Sequence, residues 1–138
     1  MRKLREECGV FGLRASARGD VAGLTFAGLL ALQHRGQESC GIVVNDDGVF
    51  SGYKDLGLVR EVFPPPVLDV LGQGEMAVGH VRYGTTGGND RRNAQPLVVN
   101  HVKAPWPWLT MGISSTPMRF AGNWSSREPF STPPATQR

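Results

Sequence analysis

Apolar residues follow two periods along residues 9–83 of the chain, and beyond residue 103 no period can be traced. Residues 9–14 form a short apolar run bounded by glycine, which predicts a strand. From residue 20 the spacing changes. Asp20 suits a helix N-cap, and Val21, Leu24, Leu29 and Leu32 set an apolar face on a helix running to about residue 33. His34, Arg35, Gly36 and Gln37 break that pattern. Residues 40–44 read as a buried strand, residues 45–48 (Asn45, Asp46, Asp47, Gly48) as a turn, and residues 49–54 as the returning strand of a hairpin. Pro64, Pro65 and Pro66 make a rigid loop into a short helix near 67–71. Residues 75–83 predict a further strand, with Met76, Val78 and Val81 apolar. The Gly/Thr-rich loop 84–89 follows. It is rich in backbone donors but opens no helix, so it is a poor phosphate cradle. Strands and helices mixed in this way, with a hairpin, predict an α+β domain.

Residues 104–138 break with all of this. The segment holds six of the ten prolines and all three tryptophans, with one leucine and no valine. Neither a strand nor a helix is expected in it. Pro, Ser and Thr favour a disordered extension, whereas Trp106, Trp108 and Trp124 do not.

Composition narrows the classes. With 138 residues there is room for one modest domain. The net charge of +3 brings no basic run and no basic–aromatic alternation, so a nucleic-acid groove is not indicated. No stretch reaches the roughly 18 apolar residues of a membrane span. The basic start has no apolar core of a secretory signal, which makes the cytoplasm the expected location. The two cysteines, Cys8 and Cys40, have neither metal-ligand nor disulfide spacing and read as thiols of a reducing compartment.

Cys8 stands between a charged leader, MRKLREE, and the apolar run that opens the first strand. A cut after Glu7 would put a thiol and a free α-amine on one residue. An α-amine titrates near about 7.7–8.0, in reach of base work at neutral pH, and an amine beside a nucleophile is a known activating device. A buried cysteine serving as a small hydrophobe is the plainer alternative, and position alone leaves both open.

Five motifs in series bear on that choice: EECGVFG at 6–12, LQHRGQES at 32–39, GLV with VF at 57–59 and 62–63, GHVRY with Thr85 and Gly87 from 79, and NAQP at 93–96. In order and spacing, residues 1–103 resemble the start of the amidophosphoribosyltransferase family, glutamine-dependent enzymes of purine biosynthesis. Similar cysteine-first domains serve asparagine synthase, glutamate synthase and glucosamine-6-phosphate synthase, which stand as the alternative. The resemblance implies an N-terminal-nucleophile (Ntn) hydrolase fold, an αββα sandwich of two stacked sheets, incomplete in this chain. It also implies removal of residues 1–7 and Cys8 as the nucleophile that takes the side-chain acyl group of glutamine. Arg82 and Thr85 fall where the family binds glutamine, and a guanidinium suits its α-carboxylate. Arg35 and Gly36 fall in a stretch that orders the loops around the nucleophile. His34 is expected to be structural and hydrogen-bonded, Gln95 and Pro96 a turn near the pocket, and Cys40 an inert core thiol. Phosphoribosylpyrophosphate, Mg²⁺ and the 4Fe–4S cluster of some members belong to family sequence that this chain lacks, so no cofactor is expected in this segment. Full-length relatives are homo-oligomers.

The resemblance stops near Lys103, where an Asn-Gly pair and a Ser-Asp segment should follow. Regrouping the tail codons one base earlier, from the third base of the Pro105 codon, restores both. Met111 followed by Gly112 forces glycine, and Asn123 followed by Trp124 forces leucine. The remaining codons can be chosen to give AHNGNLVN, RELEL and HTTSDTE in order. A base lost between the codons of Lys103 and Pro105, in the gene or in its reading, would make residues 104–138 an out-of-frame tail. The expected layout is therefore a leader at 1–7, a partial amidotransferase domain at 8–103 and a non-native tail at 104–138. On this reading the chain has no activity of its own; a non-catalytic fragment is the reading from another class.

Overall fold

The computed structural model describes residues 8–84, 90–99 and 108–110. The leader, Thr85 with the rest of loop 85–89, and most of the tail lie outside the described residues. Strand β1 spans Gly9–Gly19, helix α1 Val21–Ala31, β2 Ser39–Asp46, β3 Val49–Leu56, α2 Val59–Val62, α3 Pro65–Leu71 and β4 Gly74–Arg82. Two short strands follow, β5 at Leu97–Val99 and β6 at Trp108–Thr110. The first four strands make one antiparallel sheet in the order β1-β4-β2-β3.

Local chemistry explains most boundaries. The Asp20 carboxylate accepts from Gly23 N–H at 2.8 Å and caps α1, which then gives way to a 3-10 turn at Gln33–Arg35. Asp46 pairs with Val49, so the hairpin turn is the two residues Asp47 and Gly48, both at positive φ (46° and 86°). That is the twist a two-residue hairpin requires, and Asp-Gly supplies it. Strand β1 runs five residues past the expected 9–14, with a register shift between Arg14 and Gly19 and Arg18 held on Asp46 at 3.0 Å.

Helix α1 covers one face of the sheet. Val21, Ala22, Thr25 and Leu29 are buried against Ile42, Val44, Ala77 and Val81. Leu24, expected on that face, is instead 60% exposed. The buried stripe follows the i, i+4, i+8 row, and Thr25 joins it by giving its hydroxyl to Val21 O at 2.7 Å. Helices α2 and α3 close the core with Val59, Val62, Phe63 and Leu71. Each large side chain taken fully out of water there contributes roughly 1.5–3 kcal/mol.

The sheet's other face carries Val43 and Val78 with Phe50. Ala94 and Gln95 lie over it: Lys54 Nζ donates to Ala94 O at 2.7 Å, and a Cβ on Gly41 would run into Gln95 O. β5 pairs antiparallel with β6, Val98 opposite Leu109. This small strand stands inside the tail, where the sequence pattern indicated no element. The architecture is α+β, one four-stranded antiparallel sheet with its helices packed on one face. Among the described residues no helix is long and apolar enough to cross a membrane.

Candidate active site

The antiparallel register gathers the chemistry at one end of the sheet. Gly9 pairs with Val81, so Cys8, one residue outward, comes opposite Arg82. Ser39 pairs with Arg82 from the other side. The beginnings of β1 and β2 thus meet the end of β4. Cys8 is half-buried and has φ 44°, in the left-handed region that costs a non-glycine residue about 1 kcal/mol or more. Tyr83 N–H donates to Cys8 Sγ at 3.4 Å, and the sulfur lies 3.8 Å from the Tyr83 carbonyl oxygen.

The break after α1 is what fixes Cys8 from behind. Arg35 Nε donates to Cys8 O at 2.8 Å, a charge-assisted bond across 27 residues. Gly36 lets that loop lie on β4: a Cβ there would sit 2.6 Å from Val81 C and 2.7 Å from Arg82 N and C. Gln33 ties the loop at both ends of its amide. Nε2 donates to Gly36 O and Oε1 accepts from Val59 N–H, each at 2.7 Å.

Arg82 is buried at 5% exposure, and its Nη1 lies 3.5 Å from Glu38 Oε2. The backbone of Glu38 is held twice, N–H to Arg82 O at 3.2 Å and carbonyl to Gly57 N–H at 2.9 Å. His80, two residues back on the same strand, is also buried. Burial, and then the charge of Arg82, push its pKa down to about 4. Its Nδ1 and the Oε1 of buried Gln95 find no hydrogen-bond partner among the described residues. Cys40 faces the helix side of the sheet, fully buried, and burial with the charges of Asp55 and Glu61 pushes its thiol up to about 12.

The structure therefore brings together Cys8, Arg35, Gly36 and Arg82, while Thr85 lies outside the described residues. His34 is exposed on its turn, with no side-chain hydrogen bond to a described residue, where a hydrogen-bonded side chain was expected. Gln95 and Pro96 are buried and joined by a cis peptide. Three contributors had no assigned role in the sequence: Tyr83 through its backbone, Gln33 and Glu38. All three lie in quoted motifs, yet their contacts span 75, 26 and 44 residues, which spacing alone does not reveal. Among the described residues no three His, Cys, Asp or Glu side chains gather as a metal ion would need.

A cysteine at the head of the first strand, its sulfur against the end of the central one and a buried arginine opposite, stands in an incomplete α+β sandwich of the N-terminal-nucleophile hydrolase fold class. No protein-family model matches the chain. Amidophosphoribosyltransferase of Mycobacterium bovis is 54% identical over 96 residues, which is 70% of this chain and 18% of that protein. A solved structure of the allosteric regulatory enzyme of purine biosynthesis is 38% identical with TM-score 0.63, over 72% of this chain and 21% of its own. Glutamine phosphoribosylpyrophosphate amidotransferase from B. subtilis, complexed with ADP and GMP, is 34% identical with TM-score 0.56, over 74% and 20%. Through this shared stretch the chain belongs to the amidophosphoribosyltransferase family, and it spans about a fifth of the length of the curated relatives it matches.

Proposed function

We propose that this chain carries the nucleophile part of a glutamine-hydrolysing site, the part that in a complete enzyme supplies ammonia to phosphoribosylpyrophosphate in purine biosynthesis. One observation carries the reading: the Cys8 sulfur rests on the Tyr83 backbone, next to buried Arg82, while Arg35 grips the Cys8 carbonyl. Cleavage after Glu7 frees the Cys8 α-amine, which takes the thiol proton. The thiolate attacks the side-chain amide carbon of glutamine, the C–N bond breaks, and ammonia leaves with that proton. Water then attacks the thioester, gives its proton to the amine, and releases glutamate with the thiol restored. Arg82 takes the α-carboxylate of glutamine and Thr85 a neighbouring polar atom; Arg35 and Gly36 order the site. The reaction belongs to the cytoplasm, with no cofactor in this segment.

The same reading makes the site incomplete. Oxyanion donors are expected from sequence after residue 103, where the out-of-frame tail takes over. Losing a single such donor costs about 10²–10³ in rate. The purified chain should release no ammonia from glutamine above the buffer rate, and restoring one base between codons 103 and 105 in a full-length gene should restore it. Ammonia release by the chain as it stands would refute the inactive reading. An intact mass retaining Met1 would refute cleavage after Glu7.

A further inference from the structure

Glu38 has no role in the chemistry above, yet its carboxylate sits on the guanidinium that the proposed reaction needs. Arg82 is buried, and a buried cation must be balanced. Glu38 Oε2 lies 3.5 Å from Arg82 Nη1, long for a hydrogen bond and short for an ion pair. The two partners differ in exposure: the Arg82 side chain is 6% exposed and that of Glu38 36%. The carboxylate is thus the solvent-side member. Its place is fixed by the backbone, with Glu38 N–H on Arg82 O and Gly57 N–H on Glu38 O. Gly84 keeps the space open, because a Cβ there would strike the Glu38 carboxylate. The carboxylate therefore touches both Arg82 and the backbone two residues beyond it, at the end of the sheet where Cys8 lies.

We propose that Glu38 is a positioning and specificity-determining residue: a resident carboxylate that holds Arg82 and sets how strongly its guanidinium draws a second carboxylate to the side of Cys8. This rests on the reading of Arg82 as the group that takes the substrate carboxylate. A purely structural Glu38 would change Cys8 reactivity alike for all reagents. A charge-setting Glu38 changes it according to the charge of the reagent.

The test is the rate of Cys8 alkylation in the full chain by iodoacetate, an anion, relative to iodoacetamide, its neutral counterpart, followed by peptide mass spectrometry at low salt. Buried Cys40 should stay unmodified, which reports an intact core. Glu38→Gln should raise the iodoacetate-to-iodoacetamide ratio about three- to tenfold, the effect of one charge removed at several ångströms near a protein surface. Glu38→Asp should keep the ratio within about twofold of the starting chain. Should Glu38→Gln expose Cys40, Gly84→Ala, which displaces the carboxylate without removing it, serves instead and should raise the ratio too. An unchanged ratio, or equal changes in both rates, overturns the proposal. Arg82→Gln separates the underlying reading: if it fails to lower the ratio, Arg82 draws no carboxylate to Cys8, and both that reading and this inference fall.

Discussion

Replacing Gly36 with alanine tests whether the loop behind Cys8 is held by contact with β4. Gly36 is extended, at φ −159°, so alanine suffers no backbone strain there. The cost is steric. Its Cβ would meet Val81 C at 2.6 Å and Arg82 N and C at 2.7 Å. These are backbone atoms of the central strand, paired to β1 on one side and β2 on the other, and they cannot swing away as a side-chain tip can. Overpacking of this kind costs about 1–3 kcal/mol. If the loop lifts, the Arg35–Cys8 bond loosens as well, and a charged hydrogen bond is worth about 1.5–3 kcal/mol. Together these give roughly 2–4 kcal/mol, since the loop relieves one term partly at the expense of the other. Gly72→Ala is the comparison. Gly72 has φ 70° and ψ −163°, a region open essentially to glycine alone, with nothing within 4 Å, so alanine there costs backbone strain of about 1–3 kcal/mol and no packing at the Cys8 loop. In urea, followed by circular dichroism, Gly36→Ala should lower the midpoint by roughly 1–3 M with unchanged slope, and Gly72→Ala should lower it too, through the backbone and away from Cys8. Gly36→Ala alone should alter the rate of Cys8 alkylation by iodoacetamide. A Gly36→Ala chain as stable as the unsubstituted one, or one whose Cys8 reactivity is as unaltered as that of Gly72→Ala, would show that the loop is not held in this way.

Three further outcomes follow from the same geometry. The Cys40 thiol has its pKa raised to about 12 by burial, so its share of stability is complete below about pH 9 and is lost as pH rises toward 12; Cys40→Ser or Cys40→Ala should flatten that part of a stability-against-pH curve, and an unchanged slope would count against the shift. His80 is depressed to about 4, so the unfolded chain takes the proton first. Stability is then full above about pH 6.5 and falls as pH drops toward 4, and His80→Gln should remove that dependence in acid titrations of the urea midpoint. Gln33→Ala loses the bonds to Gly36 O and Val59 N–H and should cost about 2–4 kcal/mol in urea unfolding; a loss below about 1 kcal/mol would contradict the two-ended bridge.

Where an element follows from neighbours in the chain, the sequence pattern finds it. Asp20 marks the start of α1 and the side chain does cap it; Asp47 and Gly48 close the hairpin because only a few residue pairs accept its positive φ angles. The pattern falters where burial is decided by a distant partner. Leu24 belongs to the apolar set but lies beside the contact stripe, while Thr25, polar on paper, is buried because its hydroxyl bonds back to Val21. Helix α2 is four residues long, too short for a period to register. β6, at Trp108–Thr110, stands in a segment with no strand period and is defined by its pairing to β5.

The candidate site divides along the same line. Sequence by itself pointed to the family and singled out Cys8, Arg35 and Arg82, because residue types in series at fixed spacing carry that information through any fold. Tertiary structure alone decided that Tyr83 N–H points at Cys8, that Arg35 grips the Cys8 carbonyl, and that Glu38 is the carboxylate lying on Arg82. The reason is physical. A strand's own sequence fixes which side chains share a face, but it does not fix which strand pairs with it or in what register. Cys8 meets the end of β4 only because Gly9 pairs with Val81, and a slip of one residue would turn every side chain of β1 to the other face.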